Sequence, residues 1–350
     1  VKQLYSPFQA TYHTEFDNLS QWAQTQEIIH IGTPGRIEDR LRGSDTFLYR
    51  RFYDANGKPS EKYIGGPSGN PETESLLRIA RDNIQSAEMV VRSIRELRKL
   101  GFAVIEDKAG ATLAALHNHK LFAAGLTLIG SHAYGAILNR LGVKAPSYLT
   151  EDIDAVSSNP LNLATTPQMN LLEILQTSGL PFIKAKTSLK PGGKSETYKL
   201  PGKEKLLVDL LVNGSDAGTP ILIPELNAYA QSVPHLDYLV DEKMESVILS
   251  KTYAVPVYTP HPARFAIHKL FSALSRINQS AKSDKDILQA ATVICAMEDK
   301  YPGDIEDALI AFPDSGKPIM LQGARRAMPF IKSHSEQYAD SLTGVIAGLK

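Results

Sequence analysis

The spacing of apolar and polar residues changes several times along the chain, and each change predicts an element. Residues 71–100 carry Leu77, Ala80, Ile84, Ala87, Val91, Ile94 and Leu97 at helical intervals, with no internal Gly or Pro. A long helix is predicted there, ended by Gly101. Its arginines, Arg78, Arg81, Arg92, Arg95 and Arg98, are interleaved with Glu88 and Glu96, which predicts a solvated face rather than an RNA-binding one. Upstream, residues 46–53 alternate as a strand, 54–58 have turn chemistry, and 61–66 return, predicting a hairpin. Arg50 and Arg51 within it have two readings, contact with a phosphate backbone or solvation of one hairpin face, and the second is preferred. Residues 5–29 read as a helical lead-in capped by Asp17 or Asn18 and carrying Leu19, Trp22 and Ile28.

The middle of the chain has a different pattern. Residues 126–129 form an apolar run of strand length, and Gly130 and Ser131 interrupt it. Tyr134, Ile137, Leu138 and Leu141 then have helical spacing, and a loop with Gly142 and Pro146 leads to Glu151-Asp152-Ile153-Asp154-Ala155-Val156. On a strand, residues i and i+2 share a face, so Asp152 and Asp154 stand side by side while Ile153 turns inward. Two adjacent carboxylates repel and lose solvation together, a cost that a hard cation such as magnesium relieves. A further acid, Asp209, interrupts the apolar run 206–212. Alone it is either a satisfied core acid or a site residue. With Asp152 and Asp154 it makes a three-carboxylate set able to hold two metal ions, which suits phosphoryl or nucleotidyl transfer. Gly130 and Ser131, at a turn into a helix N-terminus, would cradle phosphates.

From Pro262 the helical period returns, with Phe265, Leu270 and Leu274 turned inward and Lys269 among them. A further helix, opened by Lys282, Lys285 and Asp286, runs through Met297. Residues 301–350 read as helices broken at Pro313 and Pro329.

The ordered set carries a resemblance. Gly130-Ser131-His132-Ala133, a helix, Thr150-Glu151-Asp152-Ile153-Asp154 and the later lone Asp209 resemble the polymerase-beta-type nucleotidyltransferases. Within that superfamily they are most similar to a bacterial branch, NTP_transf_8. The distance from Ser131 to Asp152 is longer than in most of the superfamily, as in that branch. The run Phe265-Ala266-Ile267-His268-Lys269-Leu270, followed by Lys282 to Ala290, is similar to the same branch, and its Lys and Asp also resemble AbiEii-like proteins of toxin and abortive-infection systems. The resemblance implies an α/β (α+β) fold: a polymerase-beta-like core with a mixed sheet, an N-terminal hairpin/helix module and a C-terminal helical domain. The boundaries it suggests are 1–100, 101–258 and 259–350. It implies transfer of a nucleoside monophosphate from an NTP to a hydroxyl, with pyrophosphate released. Asp152, Asp154 and Asp209 would be catalytic and would bind two Mg2+ ions, with Mn2+ as the alternative, and Gly130, Ser131, Lys269 and Asp286 would bind the nucleotide. The acceptor is ranked as an RNA end first, a protein second and a small molecule third. The competing class is a nucleotide-binding regulator, or a toxin–antitoxin or defence component, with little turnover.

Composition adds bounds rather than chemistry. The 350 residues suffice for several cores, and 38 basic against 38 acidic residues give no global attraction to nucleic acid or to anionic membrane. The single Cys295 excludes an intrachain disulfide and reads as buried filler. No apolar run is long enough to span a bilayer, the first residues lack a signal-peptide core, and a cytoplasmic location is expected. Two motifs are set aside: His117-Asn118-His119 lies in a predicted helix without further metal ligands, and residues 190–195 end like a phosphate-binding loop without its first Gly or its strand. His268 is given no role.

Overall fold

A computed structural model describes residues 3–146, 152–157, 160–162, 169–185, 197–203, 205–275 and 280–349. The set-aside motif at 190–195 and the motif residues Thr150 and Glu151 lie outside these. The chain begins with β1 (Ser6–Pro7) and α1 (Ala10–Gln24). Helix α1 starts from extended backbone at Gln9, so Asp17 and Asn18 are interior and cap nothing, contrary to the expected start. Its buried side, Phe16, Leu19 and Ala23, is the one the apolar spacing indicated around Leu19.

Strands β2 (Arg36–Arg42), β3 (Asp45–Tyr53) and β4 (Pro59–Gly65) make an antiparallel sheet in that order. The hairpin is as expected, but β2 was not, because Arg-Ile-Glu-Asp-Arg-Leu-Arg has too few apolar positions for alternation to show, and Leu41 is exposed. Helix α2 (Pro71–Leu100) has the expected extent: Asn70 accepts from the Glu72 N–H at its start, and Gly101 closes it in the left-handed region. Leu77, Val90, Ile94 and Leu97 are buried on its stripe and the five arginines are exposed. One apolar core joins α1 and α2 through Phe16, Leu19, Ile94, Leu97 and Phe102.

The other core lies around the larger sheet. Helices α3 (Asp107–Asn118) and α4 (Leu121–Ala124) lead into β5 (Thr127–Ile129), α5 (Gly130–Arg140) and β6 (Val143–Lys144), which pairs with β1. His117, Asn118 and His119 are spent on structure: they bond the Gln26 carbonyl, the Ile29 backbone and the Thr177 hydroxyl. Next come β7 (Asp152–Val156), α6 (Leu171–Gln176), β8 (Ile183–Lys184), β9 (Thr197–Lys199) and β10 (Leu207–Asn213). Strands β11 (Pro220–Ile223) and β12 (Ala228–Val233) complete the sheet. It is mixed, with β7–β10 and β10–β12 parallel and β5–β7, β9–β10, β8–β9 and β11–β12 antiparallel. Strand β10 is central. β7 lies along one edge, and the other edge is shared by β9 at Leu207–Asp209 and β12 at Leu211–Asn213.

Helix α7 (Leu236–Asp241) and the hairpin β13 (Lys243–Leu249) and β14 (Ala254–Pro260) precede the helical part. That part consists of α8 (Pro262–Ser275), α9 (Ser280–Lys300), α10 (Asp304–Ile310), α11 (Lys317–His334) and α12 (Glu336–Gly348). Helix α8 is buried on most sides, and burial of side chains such as Phe265, Ile267 and Leu270 contributes roughly 1.5–3 kcal/mol each. Gly323 of α11 lies so close to α8 that a Cβ there would stand 2.1 Å from the Leu270 carbonyl oxygen. Pro329 does not break α11. It is on the exposed side of the helix. Cys295 is fully buried in α9, and burial pushes its thiol up to about 12, so it is inert filler. Among the described residues no helix is long and apolar enough to cross a membrane.

Candidate functional site

The acids follow from strand geometry. On β7, Ile153 and Ala155 are buried while Asp152 and Asp154 are half-buried, and on β10, Val208, Leu210 and Val212 are buried while Asp209 is half-buried. Asp209 is the register partner of Asp154, and Leu207 of Asp152, across the parallel pair. Register partners and i, i+2 neighbours share a face, so Asp152, Asp154 and Asp209 line one side of the sheet, with adjacent strands about 4.8 Å apart. The expected grouping on one face is therefore present.

Electrostatics report the same proximity. Burial pushes the Asp209 carboxyl above its ordinary range and the charge of Asp152 adds to this, while a hydrogen bond from Thr197 and the charge of Lys282 act in the opposite sense. Thr197 is the register partner of Asp209 on β9, and its Oγ1 donates to Asp209 Oδ1 at 2.5 Å.

The turn from β5 into α5 closes the other side. Ile129 pairs with Asp154, and the next residue, Gly130, has φ +69. A Cβ at Gly130 would lie 2.2 Å from Asp154 Oδ2, so both the backbone conformation and the close approach require glycine. Ser131 follows in the first turn of α5, where backbone N–H groups lack partners within the helix. Its Oγ accepts a hydrogen bond from Lys285 Nζ at 2.9 Å.

Helices α8 and α9 supply the cations, Lys269 on the first and Lys282 and Lys285 on the second. Lys269 is only 7% exposed, and its Nζ lies 2.7 Å from Oδ1 of the fully buried Asp286. The two residues thus tie α8 to α9. Lys282 and Lys285, one turn apart on α9, act on the acid face: Lys282 through its field at Asp209, Lys285 through Ser131. Sequence reasoning noted both without giving them a role. The signal was the α9 stripe of Ser283, Asp286, Ala290, Val293 and Met297, all buried, which draws Asp286 into the core and demands an interior cation for it. His132 and His268 are buried beside lysines; burial first, then Lys285 and Lys269 respectively, lower their pKa values to about 4 and about 3, so both are neutral at pH 7.

Carboxylate oxygens at half-buried positions are the donor type that a hard divalent cation requires, and the raised pKa of Asp209 marks the charge that such a cation would neutralise. Among the described residues no group of three or more His, Cys, Asp or Glu side chains is gathered at metal-ligand distance.

One face of the sheet therefore holds three acids beside a glycine turn, a helix N-terminus and two lysines. No curated protein matches the chain. The model of the NTP_transf_8 family, described as Nucleotidyltransferase, matches residues 107–312, a span that contains every site residue named above. That span is more than half of the chain, and the chain belongs to this nucleotidyltransferase family.

Proposed function

We propose that the protein transfers a nucleoside monophosphate from an NTP to an acceptor hydroxyl. The acceptor oxygen forms a bond to the α-phosphorus, the bond from that phosphorus to the pyrophosphate oxygen breaks, and pyrophosphate leaves. The observation that carries this reading is the register pairing of Asp154 with Asp209, with Asp152 on the same face and Gly130 against Asp154. The backbone N–H groups at Gly130 and Ser131, with Lys285 and Lys282, receive the terminal phosphates. The buried Lys269–Asp286 pair fixes α9 against α8 and so holds those lysines in place. Asp152, Asp154 and Asp209 would hold divalent ions, Mg2+ first and Mn2+ second. When bound, these ions neutralise the phosphate oxygens and lower the barrier to in-line displacement. Asp209 faces the acceptor side and takes the hydroxyl proton, and Thr197 fixes its orientation.

The test is incubation of the purified protein with labelled NTPs, Mg2+ and a cell extract, beside Asp152→Asn. Label transfer that falls roughly 10²–10³-fold in the variant supports the reading. Tight NTP binding with no transfer to any species would replace it with a nucleotide-binding regulator of a toxin or defence system, the AbiEii-like alternative.

A further inference from the structure

The chain as a whole is electrically balanced, but one stretch is not. Residues 184–205 carry seven lysines and two glutamates, with no Arg or Asp. The described part of this stretch borders the acid face. β9 lies along β10 with Thr197 opposite Asp209 and Lys199 opposite Leu207, so Lys199 shares the face of the acids. Strand spacing and rise put its Cα about 8 Å from that of Asp209. On β8, Ile183 is opposite Lys199 and Lys184 is opposite Tyr198, so Lys184 takes the other face of the sheet; Lys203 and Lys205 lie in the connection from β9 to β10. All four are exposed, and none has an acidic partner among the described residues. The tip of the β3–β4 hairpin, which carries the exposed Lys58, touches the turn that leads to β8, since Asn56 Nδ2 donates to the Gly179 carbonyl at 3.1 Å.

The other basic surfaces differ. Arg36 and Arg51 are paired with Glu38, and Arg40 with Glu61. Arg50 is spent on the Thr33 and Pro34 carbonyls and stacks over Phe52, which removes it as a phosphate contact. The arginines of α2 are interleaved with Glu72, Glu74, Asp82, Glu88 and Glu96. Across the sheet the order is then α5 with Gly130 and Ser131, β5, β7, β10, β9, β8: the anion-binding turn on one side of the acids, an unpaired lysine track on the other.

We propose that this track is the acceptor site, and that the acceptor is the hydroxyl end of a nucleic-acid strand, in the first instance RNA, whose backbone phosphates lie along Lys199, Lys203 and Lys205. The inference rests on the nucleotidyl-transfer reading and assigns its substrate. Exposed unpaired lysines are what a phosphate backbone requires, one counterion-releasing contact each. The centres of protein–protein interfaces, by contrast, are depleted in lysine and enriched in aromatic residues. The described edge offers one large exposed apolar side chain, Ile183, which does not make such a centre.

The experiment compares the full chain with Lys199→Gln/Lys203→Gln/Lys205→Gln, in which only exposed side chains change. A fluorescent single-stranded RNA and a DNA of the same sequence are titrated by anisotropy from 50 to 200 mM salt. ATP, CTP, GTP and UTP binding is measured in parallel. The expected result is an unchanged NTP affinity and a log–log salt slope shallower by about 0.7 for each lysine that no longer neutralises a phosphate, hence about 2 for three. Label from NTP then enters the RNA and disappears on RNase treatment. Tighter binding and labelling of the DNA would keep the track and change the strand. An equal slope in the variant, or RNase-resistant label that runs with protein, overturns the inference while leaving nucleotidyl transfer intact. Absence of NTP binding sinks the parent reading instead, and the anisotropy series still decides whether the lysines bind a strand.

Discussion

Lys285 donates a hydrogen bond from α9 to Ser131 Oγ, at 2.9 Å, in the first turn of α5. The contact joins the helical part of the chain to the turn beside the acids. It places a half-buried ammonium group where backbone N–H groups already favour an anion. An NTP phosphate would compete with the serine hydroxyl for that cation.

The first prediction is that Lys285→Ala lowers NTP affinity. A hydrogen bond to a charged group contributes about 1.5–3 kcal/mol, so the dissociation constant should rise about 10- to 150-fold. Stability should change little, because the side chain is only partly buried. Equilibrium dialysis with labelled NTP checks the first part and urea unfolding the second. Unchanged affinity would remove Lys285 from the site.

Lys269 should behave in the opposite way. Its ion pair with Asp286 is buried on both sides, and removing one partner leaves an uncompensated charge in the core. Lys269→Met alone should cost about 3–5 kcal/mol, and Lys269→Met/Asp286→Leu should recover most of it. Urea unfolding of the two variants measures this. A single variant as stable as the parent, but with weakened NTP binding, would restore Lys269 as a direct phosphate contact.

The contrast between these lysines shows how far the sequence could be read. Asp152, Asp154 and Asp209 were legible because strands repeat every two residues: the apolar neighbours Ile153, Val208 and Leu210 fix which face each acid takes. Gly130 was legible because a glycine between a strand run and a helical run marks a turn. The roles of lysines on packed helices were not, because they depend on how α8 and α9 rotate against each other, a tertiary choice that local spacing does not encode. The lysine track was overlooked for another reason: a net charge of zero averages a local excess away. Strand β2 and the unbroken α11 escaped because each has a solvent-facing side on which apolar periodicity, or the usual proline rule, has little force.

Gly130 gives the third prediction. Gly130→Ala forces an L-residue into the left-handed region, at about 1–2 kcal/mol, and drives its Cβ against Asp154. Asp154 must then move, so label transfer should fall further than stability does. Ser131→Ala, which keeps the backbone, should retain more transfer than Gly130→Ala. Thermal melts and the labelling assay on both variants give the comparison. Equal transfer in the two would separate the glycine from the chemistry.

The last prediction concerns acid. His268 and His132 are neutral in the native state, their pKa values lowered by burial to about 3 and about 4. In the unfolded chain both titrate near the ordinary value of about 6.5. Above that pH neither state is protonated and the two histidines leave stability flat. Below it the unfolded chain binds protons that the native state refuses until pH reaches about 4 at His132 and about 3 at His268, so stability falls as pH falls through this window. The slope approaches about 1.4 kcal/mol per pH unit for each histidine. From pH 6.5 to 5 the pair should therefore cost about 3 kcal/mol, before most carboxylates titrate. Urea unfolding at these two pH values measures the loss, and His132→Leu/His268→Leu should remove most of it. If the double variant loses as much stability as the parent between the same two values, the buried histidines are not the acid-sensitive groups.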